Sequence, residues 1–264
     1  MPDCFDIATK WREKKLNNLN DLDTVLNDYR VLFAFHSNRI EGNALSIHQT
    51  REIFENGKLI NFTGDTREIF EAQNQKYAYE FLKLPIIKNE PITENLVLKT
   101  HEALCYGCYD EARWMKGERP GQYKIHFYGT GIDAGLPLED VESEMKFILD
   151  EISEIKSWDG TRDDIKRVLT VASYFHLNFE NIHPFADGNG RTGRTLMNYF
   201  LMTHGLPPVI VFDEDKELYY ECLFVFDKTE KLDAFVSFLQ DEMIKTWTRE
   251  NSAREKKGQK FICL

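Results

Sequence analysis

No run in this sequence approaches the roughly 20 apolar residues that a membrane-crossing helix requires, which excludes an integral helical membrane protein. The opening residues, MPDCFDIATKWREKK, hold no apolar core of the kind a secretory leader carries, so a cytoplasmic location is expected. Cysteine is scarce. Cys4, Cys105, Cys108, Cys222 and Cys263 are an odd number at scattered positions, which makes no disulfide framework and suits a reducing compartment. Cys105 and Cys108 form one CxxC, but no second CxxC or His pair completes a zinc site, and two ordinary thiols near a helix end are expected there. Positive charge is also in short supply. Asp and Glu number 44 against 33 Lys and Arg, a formal net charge of −11, which argues against nonspecific attraction to nucleic acid or anionic lipid.

Proline (8) and glycine (15) are sparse, and between them lie long stretches with apolar residues at i, i+3, i+4 and i+7, so the expected class is mainly α. The clearest stripe is Ile165, Val168, Leu169, Ala172, Phe175 and Phe179, in a helix over 162–181 opened by Asp163 and Asp164, whose carboxylates suit the positive end of its dipole. Further helices are expected at about 22–38, 46–55, 65–82, 93–104, 138–155, 191–203, 216–226 and 232–249. With 42% hydrophobic and 13% aromatic residues there is ample core, and no linker or internal repeat interrupts it. One domain over 1–250 is expected, followed by a C-terminal tail over 251–264.

One segment breaks the helical pattern. RPGQYKIHFYGTGIDAGLP, residues 119–137, brackets the β-prone run QYKIHFY with glycines and reads as a small β-hairpin flap, an edge on which an extended peptide could pair.

The polar stretch between two apolar helices, His183 to Arg194, reads as an active-site loop. In Asp187-Gly188-Asn189-Gly190 the glycines let the backbone turn its N–H groups to one side, where the following helix presents its positive end: an anion nest. Arg191 and Arg194, three apart on one face near that end, are misplaced for the dipole unless they serve a multiply charged anion. Asp187 offers a hard carboxylate suited to Mg²⁺ against phosphate oxygens, and His183 is the candidate general base.

Together these residues spell HPFADGNGRTGR, which resembles the Fic family signature HxFx[DE]GNGRxxR at every fixed position. The flanking HLNFENIHPF and LMNYFLMTHGLPPVIV and the flap are similar to their Fic counterparts in order and spacing, over about residues 30–245. The resemblance implies a helical domain that transfers AMP from ATP to a hydroxyl of a target protein, its own chain included, and releases pyrophosphate. It implies His183 as the base on the target Ser, Thr or Tyr, Phe185 as the anchor of the loop, and Asp187 as the Mg²⁺ ligand. Gly188, Asn189 and Gly190 would cradle the α- and β-phosphates, Arg191 the β-phosphate and Arg194 the γ-phosphate. The flap around Ile125, His126 and Phe127 would align the target by strand addition. Family members that phosphorylate instead carry Lys where Gly190 stands, which disfavours that activity. Tyr219 and Tyr220 could line a base pocket, but aromatic residues on a helix more often belong to the core.

Upstream, SNRIEGN resembles the family's inhibitory signature [ST]xxxE[GN] at Ser37, Glu41 and Gly42. Its place before the catalytic loop is that of the class whose inhibitory helix precedes the core, here about 22–42. A carboxylate at a helix C-terminus opposes the dipole and calls for an external cation, which the resemblance identifies as Arg194. Two alternatives stand beside AMP transfer: removal of AMP with Glu41 positioning water, and a nucleotide-binding toxin or sensor module without turnover. A homo-oligomer is compatible with the sequence, and neither a membrane nor nucleic acid beyond the nucleotide is expected as a partner.

Overall fold

The computed structural model describes residues 2–60, 62–128 and 135–256, with side chains as far as residue 248. In chain order the helices are α1 (Cys4–Glu13), α2 (Leu19–Val25), α3 (Asn27–Ile40), α4 (Ile47–Asn56), α5 (Thr66–Ile87), α6 (Glu94–Cys105), α7 (Glu111–Met115), α8 (Leu138–Ser153), α9 (Arg162–Ile182) and α10 (Asn189–Thr203). A 3₁₀ turn at Asp213–Asp215 leads into α11 (Lys216–Thr229) and α12 (Asp233–Lys256). Among the described residues none lies in a β-strand, and no helix is long and apolar enough to cross a membrane.

Local chemistry sets the helix starts. Ser46 and Gln49 form a reciprocal capping box for α4, the Asp65 side chain takes the Arg67 N–H at 2.9 Å to open α5, and Thr93 takes the Leu96 N–H at 3.2 Å to open α6. The predicted stripe of α9 is buried along its length, with Val168, Leu169, Ala172, Phe175 and Phe179 at 0% exposure. That stripe packs on α10, which is itself enclosed by α3, α5, α6 and α9. The α9–α10 connection therefore emerges from the most tightly held part of the molecule, and truncating a residue such as Phe179 would cost about 3–5 kcal/mol. The α8 and α12 helices pack on α9, and α1 docks on α12, with Trp11 against Trp247 at 5.2 Å between ring centroids.

Three expectations change. The single helix over about 22–42 is two, α2 and α3, broken where Leu26 turns out of helical geometry (φ −92°, ψ 8°) to bury its side chain completely. The last helix continues past residue 250 to Lys256, and 257–264 lie outside the described residues.

The β-hairpin is the third: the described parts of 119–137 form turns and bends without strand pairing, and 129–134, at the hairpin's expected tip, lie outside the described residues. A physical reason is at hand. The buried Glu118 carboxylate accepts the backbone N–H groups of Ile125 (3.2 Å) and His126 (3.0 Å), so donors that a partner strand would use are already satisfied. The thiols of Cys105 and Cys108 are free, the first closing α6 and the second in the turn after it.

Candidate active site

The loop begins where α9 stops. His183 is the C-cap residue, in left-handed geometry (φ 50°, ψ 60°), and its N–H still bonds the Phe179 carbonyl at 3.0 Å. A non-glycine residue rarely adopts that conformation, and Pro184 after it has no N–H to continue the helix. The combination turns the chain sharply and swings His183 out of the line of α9. Phe185 then re-enters the core at 0% exposure, its ring stacked on His101 with centroids 3.6 Å apart and planes 3° from parallel. The Asn189 side chain closes the turn, accepting the Phe185 N–H and donating to the Phe185 carbonyl, both at 2.9 Å.

Gly188 takes positive φ (78°) just before α10, where a Cβ would collide with the Cys105 thiol. Gly190 needs no positive φ and is already helical, because α10 starts at Asn189, two residues before its expected start. The first N–H groups of α10 have no intrahelical acceptor and point out along the axis, the arrangement that receives anions. A Cβ on Gly190 would collide with the Glu41 carboxylate, so that carboxylate lies directly over this end of the helix.

Both motif arginines are buried, Arg191 to 2% and Arg194 to 1% exposure. Arg194 is fully engaged: its Nε donates to Ser37 Oγ (3.1 Å), and its Nη2 donates to the Ser37 carbonyl (2.9 Å) and to Glu41 Oε1 (2.7 Å). Glu41 is the C-cap of α3, and Gly42 follows with φ +93°, so the helix turns back at that point and leaves the carboxylate facing α10. The end of α3 is itself fixed, since Lys216 donates to the Ile40 carbonyl and His36 Nδ1 lies 2.7 Å from Asp213 Oδ1.

Asp187 sits among cations. Arg67 Nη2 donates to its Oδ2 at 2.7 Å, and Arg191 and Arg113 lie at 3.6 and 3.9 Å. Burial alone would raise this carboxyl, but the neighbouring arginines outweigh it and hold it below the usual carboxylate range. Glu71 on α5 gathers Arg67 (3.0 Å), Arg191 (3.3 Å) and the Asn43 amide (2.9 Å), tying the segment after Glu41 to the loop.

The structure brings Ser37, Glu41, Asp187, Gly188, Asn189, Gly190, Arg191 and Arg194 to one end of α10. Ile125 and Phe127 expose more than half their surface on the flap, while His126 Nδ1 turns back to Glu118 at 3.1 Å. Tyr219 is core, its hydroxyl 2.9 Å from His176 Nε2 and beneath Arg194, and Tyr220 is partly exposed.

Four residues without a motif also reach this region: Arg67, Glu71, His101 and Glu180. Only α5 carried a signal, in the polar stripe Glu71, Asn74, Gln75 on a face that has Ala72, Ala78 and Leu82 for neighbours and is buried with them. Glu180 lies one turn before His183, where burial raises its carboxyl to about 8, against the pull of Arg194 and with a further push from Glu41.

The sign of the Glu180 effect follows directly. The folded form holds the proton more tightly than the unfolded one, so this group's stabilisation is complete below about pH 4.5 and is lost as pH rises toward about 8. We expect the thermal midpoint of the wild type to fall over that window by roughly 5 °C more than that of Glu180→Gln, which stays neutral throughout. Parallel melting curves would contradict the assignment. The remaining decline in both proteins is ascribed in part to Glu242, whose burial also raises it to about 8.

The architecture is a helical body with the start of α10 enclosed by α3, α5, α6 and α9, and with Glu41 from the end of α3 lodged over that start. Residues 91–201 match the Fic/DOC family. The protein adenylyltransferase Fic of Nematostella vectensis is 33% identical over 195 residues, covering 72% of this chain and 41% of that protein. The protein adenylyltransferase fic-1 of Caenorhabditis elegans is 31% identical over 212 residues, 80% of this chain and 39% of its own length. The chain thus spans about two fifths of the length of the curated relatives it matches. Among solved structures, a Fic domain containing signaling protein from Bacteroides thetaiotaomicron superposes with a TM-score of 0.75 at 22% identity, covering 96% of both chains. A Fic-1 fragment from Caenorhabditis elegans superposes at 0.73 with 26% identity, covering 96% of this chain and 72% of that one. The chain belongs to the Fic/DOC family.

Proposed function

We propose that this chain is a protein adenylyltransferase that moves AMP from ATP onto a Ser, Thr or Tyr hydroxyl of a protein target or of itself, and that Glu41 holds it in a low-activity state. The names of the relatives support the first half, and one observation carries the second: the Glu41 carboxylate lies over Gly190 and bonds Arg194 at 2.7 Å, where a terminal phosphate would need that arginine.

In the active arrangement Arg194 takes the γ-phosphate and Arg191 the β-phosphate. The opening N–H groups of α10 receive the phosphate oxygens around Gly188, Asn189 and Gly190. The Asn189 side chain is spent on the loop, so its contribution is the backbone N–H. The target hydroxyl attacks the α-phosphorus while His183 accepts its proton, and the bond from that phosphorus to the bridging oxygen breaks with its electron pair leaving on pyrophosphate. Target residues rest on the exposed Ile125 and Phe127 side chains, because the inward N–H groups of 125 and 126 belong to Glu118.

The donor set at Asp187 fits Mg²⁺. It is one hard carboxylate beside the helix start, and phosphate oxygens and water would complete the shell in the way Mg²⁺ favours. Bound there, the ion would neutralise charge on the departing pyrophosphate.

Arg67 holds Asp187 Oδ2 and must yield it. Arg67→Ala is therefore expected to tighten Mn²⁺ binding to the protein with a non-hydrolysable ATP analogue by roughly two- to fivefold, since a partly exposed pair such as this is worth about 1 kcal/mol at most. Electron paramagnetic resonance titration reads free Mn²⁺ directly. Weaker nucleotide binding in the variant would instead place Arg67 on the phosphates.

The test of the reading as a whole uses ATP labelled at the α- or the γ-phosphorus. Covalent label from the α position alone supports AMP transfer, and label from the γ position would make the protein a kinase.

A further inference from the structure

The flap and the catalytic loop meet on one face of α6. Leu98, His101, Glu102 and Cys105 recur at i, i+3, i+4 and i+7, and this stripe touches both segments. A Cβ on Gly121, at the base of the flap, would lie 2.9 Å from Glu102 Cβ and 3.2 Å from the Leu98 carbonyl, so that glycine (φ +79°) rests directly on the helix. Three and seven residues further along α6 from Leu98, the His101 ring and the Cys105 thiol lie under Gly188 of the loop. His101 joins the two. The Gly121 N–H lies 2.8 Å from its Nδ1, and its Nε2 lies 2.9 Å from the carbonyl oxygen of Asp187.

Hydrogen-bond chemistry fixes the state of this ring. A backbone N–H only donates, so Nδ1 must carry a lone pair; a carbonyl only accepts, so Nε2 must carry the hydrogen. The imidazole is neutral, with a single tautomer, and is fully buried. Stacking on Phe185 at 3.6 Å fixes its plane as well.

We propose that His101 is a positioning residue that couples the flap to the phosphate-binding turn: its Nδ1 holds the flap at Gly121 and its Nε2–H holds the Asp187 carbonyl, and with it the direction of the Asp187 side chain. This rests on the AMP-transfer reading. His101 touches neither phosphate nor target hydroxyl. It makes the placement of the target segment and the placement of the pyrophosphate end parts of one rigid connection, which a displacement in direct phosphoryl chemistry needs to within a fraction of an ångström. Two backbone bonds, Lys124 N–H to the Pro184 carbonyl (2.9 Å) and Leu136 N–H to the Ile182 carbonyl (3.2 Å), tie the flap to the near side of the loop. His101 supplies the tie at its far side, next to the metal carboxylate.

The experiment has a spectroscopic and a kinetic arm, both on the full chain. In protein labelled with ¹⁵N at histidine, long-range proton–nitrogen spectra should show the His101 ring neutral with its hydrogen on Nε2. A non-hydrolysable ATP analogue with Mg²⁺ should slow hydrogen exchange at the Gly121 amide, although that amide is on the flap. In a Glu41→Gly background, His101→Leu should lower the first-order rate of AMP transfer on the order of a hundredfold while the apparent KM for ATP stays within about threefold. His101→Gln can accept from Gly121 through its oxygen and donate to Asp187 through its nitrogen, and should recover the rate to within roughly threefold.

A ring protonated on Nδ1, a Gly121 amide indifferent to nucleotide, or a folded His101→Leu variant as fast as its parent would each overturn the proposal. Should the Leu variant not fold, the Gln variant, the tautomer and the exchange rates decide. If no AMP is transferred by the parent either, the functional reading has failed, and the tautomer and exchange results still stand or fall for His101 by themselves.

Discussion

Replacing Glu41 by Gly is expected to raise the initial rate of AMP transfer roughly ten- to a hundredfold. The carboxylate bonds Arg194 and covers Gly190, so ATP that enters while Glu41 is in place cannot set its γ-phosphate on the arginine and leaves its α-phosphorus misaligned with the hydroxyl. If the competent arrangement is populated at about 1–10% in the wild type, freeing it gives a gain of that size, because rate scales with the competent fraction. The substitution is structurally mild. Glu41 is a C-cap outside the helix, its side chain is about one-third exposed, and Arg194 keeps both contacts to Ser37, so the buried guanidinium is not stranded. An unchanged rate with saturating ATP in a well-folded variant would mean that SNRIEGN is only a helix end in this protein.

The second large effect is a loss. His183→Ala should lower transfer by about 10³-fold or more, within the range that a positioned base contributes and further because the attacking hydroxyl loses its hydrogen-bond partner. Ala in the left-handed region costs about 1 kcal/mol, which a domain of this size tolerates, so ATP binding through Arg191, Arg194 and the start of α10 should survive. Calorimetry on the variant separates the two readings of a dead enzyme. Retained nucleotide binding identifies His183 as the base, whereas joint loss of binding and thermal stability would make it a structural turn residue.

How much of this was legible in the sequence depends on the distance over which each feature is determined. The apolar stripe of α9 and the helix starts at Ser46, Asp65 and Thr93 are set by neighbours two to four residues away, and they stand where the pattern puts them. The loop from His183 to Arg194 was legible because its chemistry is written contiguously. Partners that arrive from far away were not. His101 meets Asp187 from 86 residues away, Arg67 meets it from 120, and neither belongs to a short motif. The break at Leu26 was hidden because the apolar period continues across it, and only the packing of that side chain decides where α2 stops. Among the described residues of the flap no strand pairing is seen, for a related reason. QYKIHFY has the residues of a strand, but a buried carboxylate at Glu118 absorbs the N–H groups on which pairing would depend, and β-propensity yields to such tertiary contacts.

The measurement that bears most directly on the account is the intact mass of the full chain, wild type and Glu41→Gly, after incubation with ATP and Mg²⁺, with His183→Ala introduced into both as the control. The account predicts a product heavier by one AMP that accumulates at least about tenfold faster in Glu41→Gly than in the wild type and is absent from both proteins lacking His183. A gain of a single phosphate in place of AMP, or an AMP adduct that forms equally fast with and without Glu41, would contradict it.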